Sequence, residues 1–254
     1  MGKHVLEIEN LVKRYGENDV LDNLSLTVAE GEVVVIVGPS GCGKSTLLRC
    51  INILEPIQSG HIRLAGEEIS GSTGQKLYTV RQRIGMVFQS YELFPHLSVL
   101  DNIALAPVKV QKRNKEEVRQ EAMKLLWRVG LDGRAKDYPR QLSGGQKQRV
   151  AIVRTLIMHP EILLFDEVTA ALDPEMVREV LDVLLALAAQ GRTMLIVTHE
   201  MEFAKAIADR VVFIDGGKIV EQGPPAEFFS RPQTERAQKF LNTFTFENIR
   251  GENI

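Results

Sequence analysis

The chain has 254 residues, 44% of them hydrophobic and 25% charged, which is typical of a globular protein with one large domain or two small ones. Its 31 basic and 33 acidic residues leave a net charge of −2, which gives no bulk attraction to nucleic acid or to an anionic membrane surface. The longest apolar runs are short and the two cysteines are close in sequence, so we expect no membrane-spanning helix and a reduced, cytoplasmic protein.

The first third of the chain alternates strand-like and turn-like segments. Residues 5–10 and 25–38 predict strands, and the unbroken valines and isoleucine at 33–37 indicate a strand that is buried on both faces. A helix is predicted from Lys44 to about Leu54, followed by strands at 61–64 and 84–89.

The middle third is mostly helical. One face of the segment 114–130 carries apolar residues at helical spacing, namely Val118, Ala122, Leu125, Leu126 and Val129. Gly130 marks the end of this helix, and a second helix begins after Ser143. Together they predict a helical insert over residues 90–158.

From Ile162 the strand pattern returns. Residues 162–167 predict a buried strand, and a helix follows from Pro174 to about Gln190. A strand at 193–199, a helix ending near Asp209, a hairpin over 209–223 and a helical tail complete the chain. This strand–helix alternation predicts an α/β fold, with a largely parallel sheet wrapped by helices and a helical subdomain inserted.

A phosphate-binding motif stands at residues 38–45, where GPSGCGKS matches G-x-x-x-x-G-K-[ST] between a buried strand and a helix. In such a loop the backbone N–H groups surround the phosphates, Lys44 neutralises their charge and the Ser45 hydroxyl ligates Mg²⁺. A purely structural glycine turn would leave Lys44 unexplained. The motif therefore predicts a nucleotide site, in which Cys42 is a small filler rather than a nucleophile.

Two acidic residues, Asp166 and Glu167, follow four apolar residues at a predicted strand end. A carboxylate for a metal beside a carboxylate for a water suits a hydrolase, although acidic residues are also ordinary in turns. Asp173 and Pro174 have a structural reading, as the N-cap and first residue of a helix. His199 stands at another strand end, where a lone histidine is more often structural than catalytic.

The segment 142–146, LSGGQ, opens the helix after Ser143. Ser143 and Gln146 have the spacing of a capping box, in which each side chain bonds to the other's backbone. A cap needs neither Gly144 nor Gly145, which lose backbone entropy on folding, and free N–H groups at a helix start can also hold a phosphate. The residues alone leave both readings open.

In order and spacing, the phosphate loop, LSGGQ, LLFDE, ALD and VTHE resemble the ATP-binding subunit of an ABC transporter over essentially the whole chain. Residues 47–60, 91–103, 197–213 and 223–229 look most like those of polar amino-acid importers. The resemblance implies a P-loop ABC ATPase over 1–254, with an N-terminal antiparallel β part and a core formed by 1–89 and 159–222. Residues 90–158 would then be the helical subdomain and 223–254 a C-terminal helical tail.

The resemblance also implies ATP and Mg²⁺ as cofactors and assigns roles to residues. The phosphates are bound by Gly38, Pro39, Ser40, Gly41, Cys42, Gly43, Lys44, Ser45 and Thr46. Asp166 holds the metal through water, Glu167 is the general base, and His199 contacts the γ-phosphate. Gln89, with Ser45 and Asp166, serves the metal and links the site to a membrane partner. Tyr15 stacks on adenine, with a packing tyrosine as the rival interpretation.

The family's subunits pair head to tail, so Ser143, Gly145 and Gln146 would serve the nucleotide of the partner copy. Membrane permease subunits and, indirectly, an extracytoplasmic solute-binding protein are the other implied partners, with no nucleic acid. The implied location is cytoplasmic, peripheral on the inner face of the cell membrane. This chain has Val168 and Ala170 where the family usually reads proline and serine, which puts one cross-dimer hydrogen bond in doubt.

Other classes of protein share parts of this pattern. A small-molecule kinase or a GTPase shares the phosphate loop, but neither class explains LSGGQ, and the guanine motif N-K-x-D is absent. Non-transport ABC ATPases usually carry a coiled-coil insert or a second cassette. An ABC ATPase of a cell-division or lipoprotein-export complex shares every motif and stays open as an alternative.

An apolar cluster formed by Tyr91, Leu93, Phe94 and Leu97 has two interpretations. It is either a docking site for the membrane partner or part of the insert's own core.

Overall fold

A computed structural model describes residues 3–244 of the chain. Within them, the first sheet is antiparallel and contains β1 (His4–Tyr15), β2 (Asn18–Ala29), β4 (Ser59–Leu64) and β5 (Glu67–Glu68), in the order β2-β1-β4-β5. Buried and exposed residues largely alternate along β2 because this sheet packs its inner face on the core and leaves the other face to water.

The second sheet has the order β10-β9-β3-β8-β7-β6. Its strands are β3 (Val33–Val37), β6 (Ile84–Val87), β7 (Ile162–Asp166), β8 (Met194–Val197), β9 (Arg210–Asp215) and β10 (Lys218–Gly223). All neighbours pair in parallel except β9 and β10, which form the expected hairpin. Every residue of β3, β7 and β8 is buried, because layers cover both faces of the sheet.

Helices connect and cover these strands. They are α1 (Lys44–Ile51), α2 (Gly74–Arg83), α3 (Val99–Lys109), α4 (Lys115–Arg128), α5 (Gly144–Leu156), α6 (Pro174–Ala189), α7 (Met201–Ile207), α8 (Pro225–Ser230) and α9 (Glu235–Asn242). Two short 3₁₀ turns, Asp132–Arg134 and Pro139–Gln141, lie between α4 and α5. In the described part of the chain, no helix is both long and apolar enough to cross a lipid bilayer.

The buried apolar side chains of residues 3–244 form three clusters. The first lies between the antiparallel sheet, α1 and one face of the parallel sheet, and the second joins the other face to α6–α9. The third belongs to the helical insert and is built mainly from α3, α4 and α5. These helices therefore share an apolar cluster, while Ala151 and Ile152 of α5 belong to the second cluster.

The predicted fold class is correct, and the differences are local. The α1 helix ends at Ile51 and β6 ends at Val87, both a few residues earlier than expected. The α2 helix was not predicted because it buries only Val80, so it carries almost no apolar periodicity. Residues 245–254 of the predicted tail lie outside the described part of the chain.

Candidate nucleotide site

The strand order of the parallel sheet determines which loops meet. Strand β3 pairs with β8, β8 pairs with β7, and β7 pairs with β6, all in parallel. Their carboxyl ends therefore lie at one edge, where α/β proteins bind ligands. The loop 38–43, His199, the Asp166–Glu167 pair and Gln89 follow these four strands and meet at that edge.

The phosphate loop depends on glycines at two close contacts. A Cβ at Gly38 (φ 155°) would lie 2.1 Å from the Ile214 carbonyl oxygen, and one at Gly43 (φ 103°) would lie 2.8 Å from the Val20 carbonyl oxygen. Gly43 is also the N-cap of α1 and offers no side-chain cap. The first N–H groups of α1 are therefore left for a ligand, and a helix start of this kind favours an anion.

Lys44 is buried and lies inside this loop. Its Nζ donates hydrogen bonds to the carbonyl oxygens of Gly38, at 3.0 Å, and Pro39, at 2.9 Å. A buried ammonium is tolerated because these carbonyls hold it. The positive charge therefore lies at the loop, where phosphate oxygens can interact with it.

Ser45 and Asp166 form an oxygen pair suited to a hard cation. The Ser45 hydroxyl donates to Asp166 Oδ1 at 2.6 Å. Burial raises the pKa of the Asp166 carboxyl, while the bond from Ser45 opposes that rise. Mg²⁺ prefers oxygen ligands and commonly binds through one or two protein groups plus phosphates. Residues 3–244 contain no group of three or more His, Cys, Asp or Glu side chains placed to hold a metal.

Glu167 and His199 face each other beside this pair. His199 Nε2 lies 3.0 Å from Glu167 Oε1, and the Glu167 N–H donates to the Val197 carbonyl oxygen at 3.0 Å. Glu167 has a φ of 46°, a left-handed conformation that costs a non-glycine residue about 1–3 kcal/mol. Strained backbone of this kind persists where the surrounding structure holds it, and it clusters at functional sites.

Gln89 is exposed and lines a groove of about 910 Å³ together with Ser45 and Asp166. The segment that carries it is held by α5. Gln148 Nε2 donates to the Phe88 carbonyl oxygen at 3.2 Å, and Arg154 donates to backbone carbonyls just beyond Gln89. Sequence reasoning missed Gln148 and Arg154, since a polar residue on a helix gives no sign of the loop that it will contact.

The capping box at Ser143 is present. Ser143 Oγ accepts from the Gln146 N–H at 3.3 Å, and Gln146 Oε1 accepts from the Ser143 N–H at 3.0 Å. Among the described residues, no hydrogen bond joins Ser143 to the phosphate loop of the same chain.

The two glycines of LSGGQ have a packing reason within the chain. A Cβ at Gly144 would lie 2.9 Å from the Tyr91 hydroxyl, and a Cβ at Gly145 would lie 2.9 Å from Met176 Cβ. The Gly145 N–H also points at Met176 Sδ, at 3.4 Å. The start of α5 therefore packs closely on α6, which sequence reasoning did not predict.

The remaining predicted residues take different positions. Tyr15 ends β1 and is 44% exposed. Val168 is buried in the core on the α6 face, and Ala170 is exposed with its N–H bonded to the Glu167 carbonyl oxygen. Asp173 is the N-cap of α6, although its side chain makes no capping bond. Val168 thus fills space, and the turn after Glu167 forms without the serine hydroxyl.

The residues of the apolar cluster at 91–97 take different positions. Leu93 packs against the core, whereas the Phe94 side chain is 42% exposed and lines the groove that contains Gln89. Asn102 fixes this segment, because its side chain accepts from the Phe94 N–H and donates to three carbonyls, those of Phe94, Leu97 and Ser98. The groove wall is therefore held in place rather than loose.

Comparison with known proteins gives consistent matches. The family model described as "ABC transporter" matches residues 21–170. The arginine transport ATP-binding protein ArtM of Bacillus subtilis (strain 168) is 55% identical over 93% of this chain and 98% of its own length. The glutamine transport ATP-binding protein GlnQ of the same organism is 54% identical over 94% of this chain and 98% of its own. The glutamate/aspartate import ATP-binding protein GltL of Escherichia coli (strain K12) is 53% identical over 93% of this chain and 98% of its own length.

Solved structures agree with these matches. CbiO1 of Clostridium perfringens, part of the ABC transporter complex CbiONQ, matches with a TM-score of 0.82 at 31% identity, covering 95% of each chain. The dimeric, post-hydrolysis state of the ATP-binding cassette MJ0796 bound to ADP and Pi matches with a TM-score of 0.78 at 33% identity, covering 87% of this chain and 98% of that one.

The two cysteines, one in the phosphate loop and one in α1, provide a direct test of how deeply this part of the chain is buried. Desolvation raises the pKa of Cys42 and raises that of Cys50 to about 12, from a usual 9.0. A raised thiol pKa lowers the fraction of reactive thiolate, and burial limits access, so we expect both thiols to react with a thiol reagent far more slowly in the native protein than in denaturant. Rapid labelling of both cysteines in the native state would contradict this arrangement. Single Cys→Ser variants distinguish the two sites.

Proposed function

The chain belongs to the ABC transporter family, and we propose that it hydrolyses ATP to power uptake of a polar amino acid through a separate membrane permease. The relatives named above transport arginine, glutamine, and glutamate or aspartate, which supports this substrate class. Their identities of 55%, 54% and 53% are too similar to favour one solute. We therefore propose polar amino acids as the substrate class and assign no single solute.

The observation that carries the proposal is the assembly of opposite charges at one sheet edge. Lys44 brings positive charge to the phosphate loop, and Ser45 and Asp166 offer oxygens 2.6 Å apart. In the proposed mechanism Lys44 binds the β- and γ-phosphates of ATP, and Ser45 and Asp166 would hold Mg²⁺. When bound, Mg²⁺ supplies neutralisation of phosphate charge.

Glu167 is the proposed general base. It accepts a proton from the water that attacks the γ-phosphate, while Gln89 orients that water from the groove. His199, 3.0 Å from Glu167 Oε1, holds the carboxylate in place and can contact the γ-phosphate. The exposed ring of Tyr15 stacks on the adenine base.

A second copy completes each site in this proposal. Ser143, Gly145 and Gln146 serve the nucleotide of the partner, so the capping box and the anion site share one loop. Ser143 Oγ accepts a bond within the box and keeps its own O–H to donate. ATP binding then favours the closed pair and hydrolysis releases it.

The groove that contains Gln89 and Phe94 is the proposed docking site for the permease. The lining of the groove supports this, because it includes Ser45 and Asp166, which would hold Mg²⁺, together with the exposed ring of Phe94. The subunit would work on the inner face of the membrane, and the solute-binding protein would contact only the outer side of the permease. The amino-acid transport names of the relatives favour import over cell division, lipoprotein export or a non-transport role.

Replacing the general base tests the catalytic assignment. Glu167→Gln should lower ATP turnover about 10²- to 10⁴-fold, because the attacking water keeps its proton, while ATP binding is retained. Turnover is measured by phosphate release, and the ATP-bound dimer should accumulate on size-exclusion chromatography. Glu161→Gln, at the opposite end of β7, is the matched control. Near-normal turnover of Glu167→Gln would remove Glu167 from this role.

Mixing two inactive variants tests the shared site. A Lys44→Ala dimer loses the charge of both phosphate loops, and a Ser143→Arg dimer has both partner loops blocked. If each site combines Lys44 of one chain with Ser143 of the other, a mixed dimer has one intact site. Random mixing should then restore about a quarter of wild-type activity when the sites act independently.

Single-turnover hydrolysis is the better measurement for this mixture, since cooperativity between sites could conceal recovery in steady state. A site built within one chain predicts no recovery at all. The absence of signal, with mixed dimers demonstrated, would refute the shared site.

A charge in the groove tests permease docking. Phe94→Asp should leave the isolated subunit folded and active in ATP hydrolysis but abolish amino-acid uptake and co-purification of the permease. An aspartate in this apolar wall cannot be buried against a partner without losing its hydration. Trp127→Asp, at an aromatic residue on α4 that is 70% exposed, is the control. Normal uptake with Phe94→Asp would remove Phe94 from permease docking, and loss of the native fold would favour its role in the core of the helical segment.

A further inference from the structure

A buried lysine lies next to Tyr15, the residue proposed to stack on the adenine ring. Lys13 of β1 is 2% exposed, and its Nζ donates to Glu55 Oε2 at 3.0 Å and to the Pro56 carbonyl oxygen at 2.8 Å. A buried ammonium is destabilising unless it is paired and hydrogen-bonded. Two oxygens therefore hold the position of this charge.

The same ammonium lies against an aromatic ring. Lys13 Nζ is 4.4 Å from the centroid of the Tyr15 ring, within the range of a cation–π contact. The Tyr15 side chain is nevertheless 44% exposed, so much of the ring stays open to a ligand. One part of the ring is thus held by the protein while another part faces solvent.

This cluster joins the strand that carries Tyr15 to the helix of the phosphate loop. Lys13 pairs in register with Leu21 of β2, and the Leu21 side chain lies 2.8 Å from the position of a Cβ on Gly43. On the other side, the Glu55 N–H donates to the Arg49 carbonyl oxygen of α1 at 3.2 Å. The hairpin of β1 and β2 and the phosphate-loop helix are therefore connected through the Lys13–Glu55 pair.

The Glu55 carboxylate stays charged at neutral pH. The hydrogen bond from Lys13 lowers the pKa of the Glu55 carboxyl, with its ordinary burial cost acting against it. Because a lowered carboxyl pKa lies further below neutrality, Glu55 remains ionised and keeps its bond to Lys13 throughout the neutral range. The ring contact is therefore present under ordinary conditions.

We propose that Lys13 is a positioning residue for the nucleotide base: clamped by Glu55 and the Pro56 carbonyl, its ammonium holds the Tyr15 ring ready to stack on adenine. This rests on the proposed role of Tyr15 in base stacking. A ring that is already fixed loses less conformational entropy when the base binds. The Lys13 ammonium donates its hydrogen bonds to Glu55 and Pro56 and to no residue of the phosphate loop, so we expect its effect to be confined to ligands that carry a base.

The test compares a ligand that has the base with one that lacks it. Calorimetry measures the Kd of a non-hydrolysable ATP analogue and of inorganic triphosphate, for wild type, Lys13→Met, Tyr15→Ala and the double variant. We expect Lys13→Met to raise the Kd of the analogue about three- to tenfold, the size of one partly desolvated cation–π contact, and to leave that of triphosphate unchanged. In the Tyr15→Ala background, Lys13→Met should have no further effect.

Stability is followed separately by thermal unfolding without ligand, because loss of an ion pair lowers it whatever the role of Lys13. Lys76→Met, which removes the pair of Lys76 with Glu67, is the control and should change neither Kd. If Lys13→Met weakens the binding of both ligands equally, or weakens the binding of the analogue further in the Tyr15→Ala background, the proposal is overturned. Lys13 would then have only a structural role.

The two hypotheses fail in different ways. If Tyr15→Ala does not weaken binding of the ATP analogue relative to binding of triphosphate, the stacking role of Tyr15 is wrong, and the positioning role of Lys13 is wrong with it. If Tyr15→Ala weakens the analogue but Lys13→Met does not, only the role of Lys13 is overturned.

Discussion

The parallel pairing of β3, β8, β7 and β6 is the constraint on which the site depends. Parallel strands bring their carboxyl ends to one edge, so residues far apart in sequence meet there without a connecting segment of their own. Lys44 and Asp166 are separated by more than a hundred residues, yet the hydroxyl next to Lys44 bonds to the Asp166 carboxylate at 2.6 Å. The order of the strands therefore brings the hydroxyl and the carboxylate together.

The edge concentrates features that do not favour stability by themselves. An ammonium is buried among carbonyls, burial raises the pKa of Asp166, and Glu167 is held at a φ of 46°. Each feature is held in place by strands that are completely buried beneath it. A bound nucleotide with its metal would satisfy these charges, so the arrangement suits a protein that gains stability from its ligand.

Around this edge, contacts between elements connect the site to other surfaces. Helix α5 begins at the Ser143 loop and holds the segment of Gln89 through Gln148. The Lys13–Glu55 pair likewise connects the hairpin that ends at Tyr15 with the helix of the phosphate loop. Direct contacts therefore connect the Gln89 segment with α5, and the Tyr15 hairpin with the phosphate-loop helix.

Local sequence patterns determined the strands, the longer helices, the phosphate loop and the capping box, because each depends on residues within one turn or one strand. The resemblance of its motifs to those of ABC ATPases led us to expect the phosphate loop, Asp166, Glu167 and His199 in one site, and the structure brings these residues to one sheet edge. Only the tertiary structure decided the close packing of Gly144 against Tyr91, the contact of Gln148 with Phe88 and the position of Lys13 beneath Tyr15. Those contacts join elements distant along the chain or depend on the exact direction of a side chain, and no local periodicity records either.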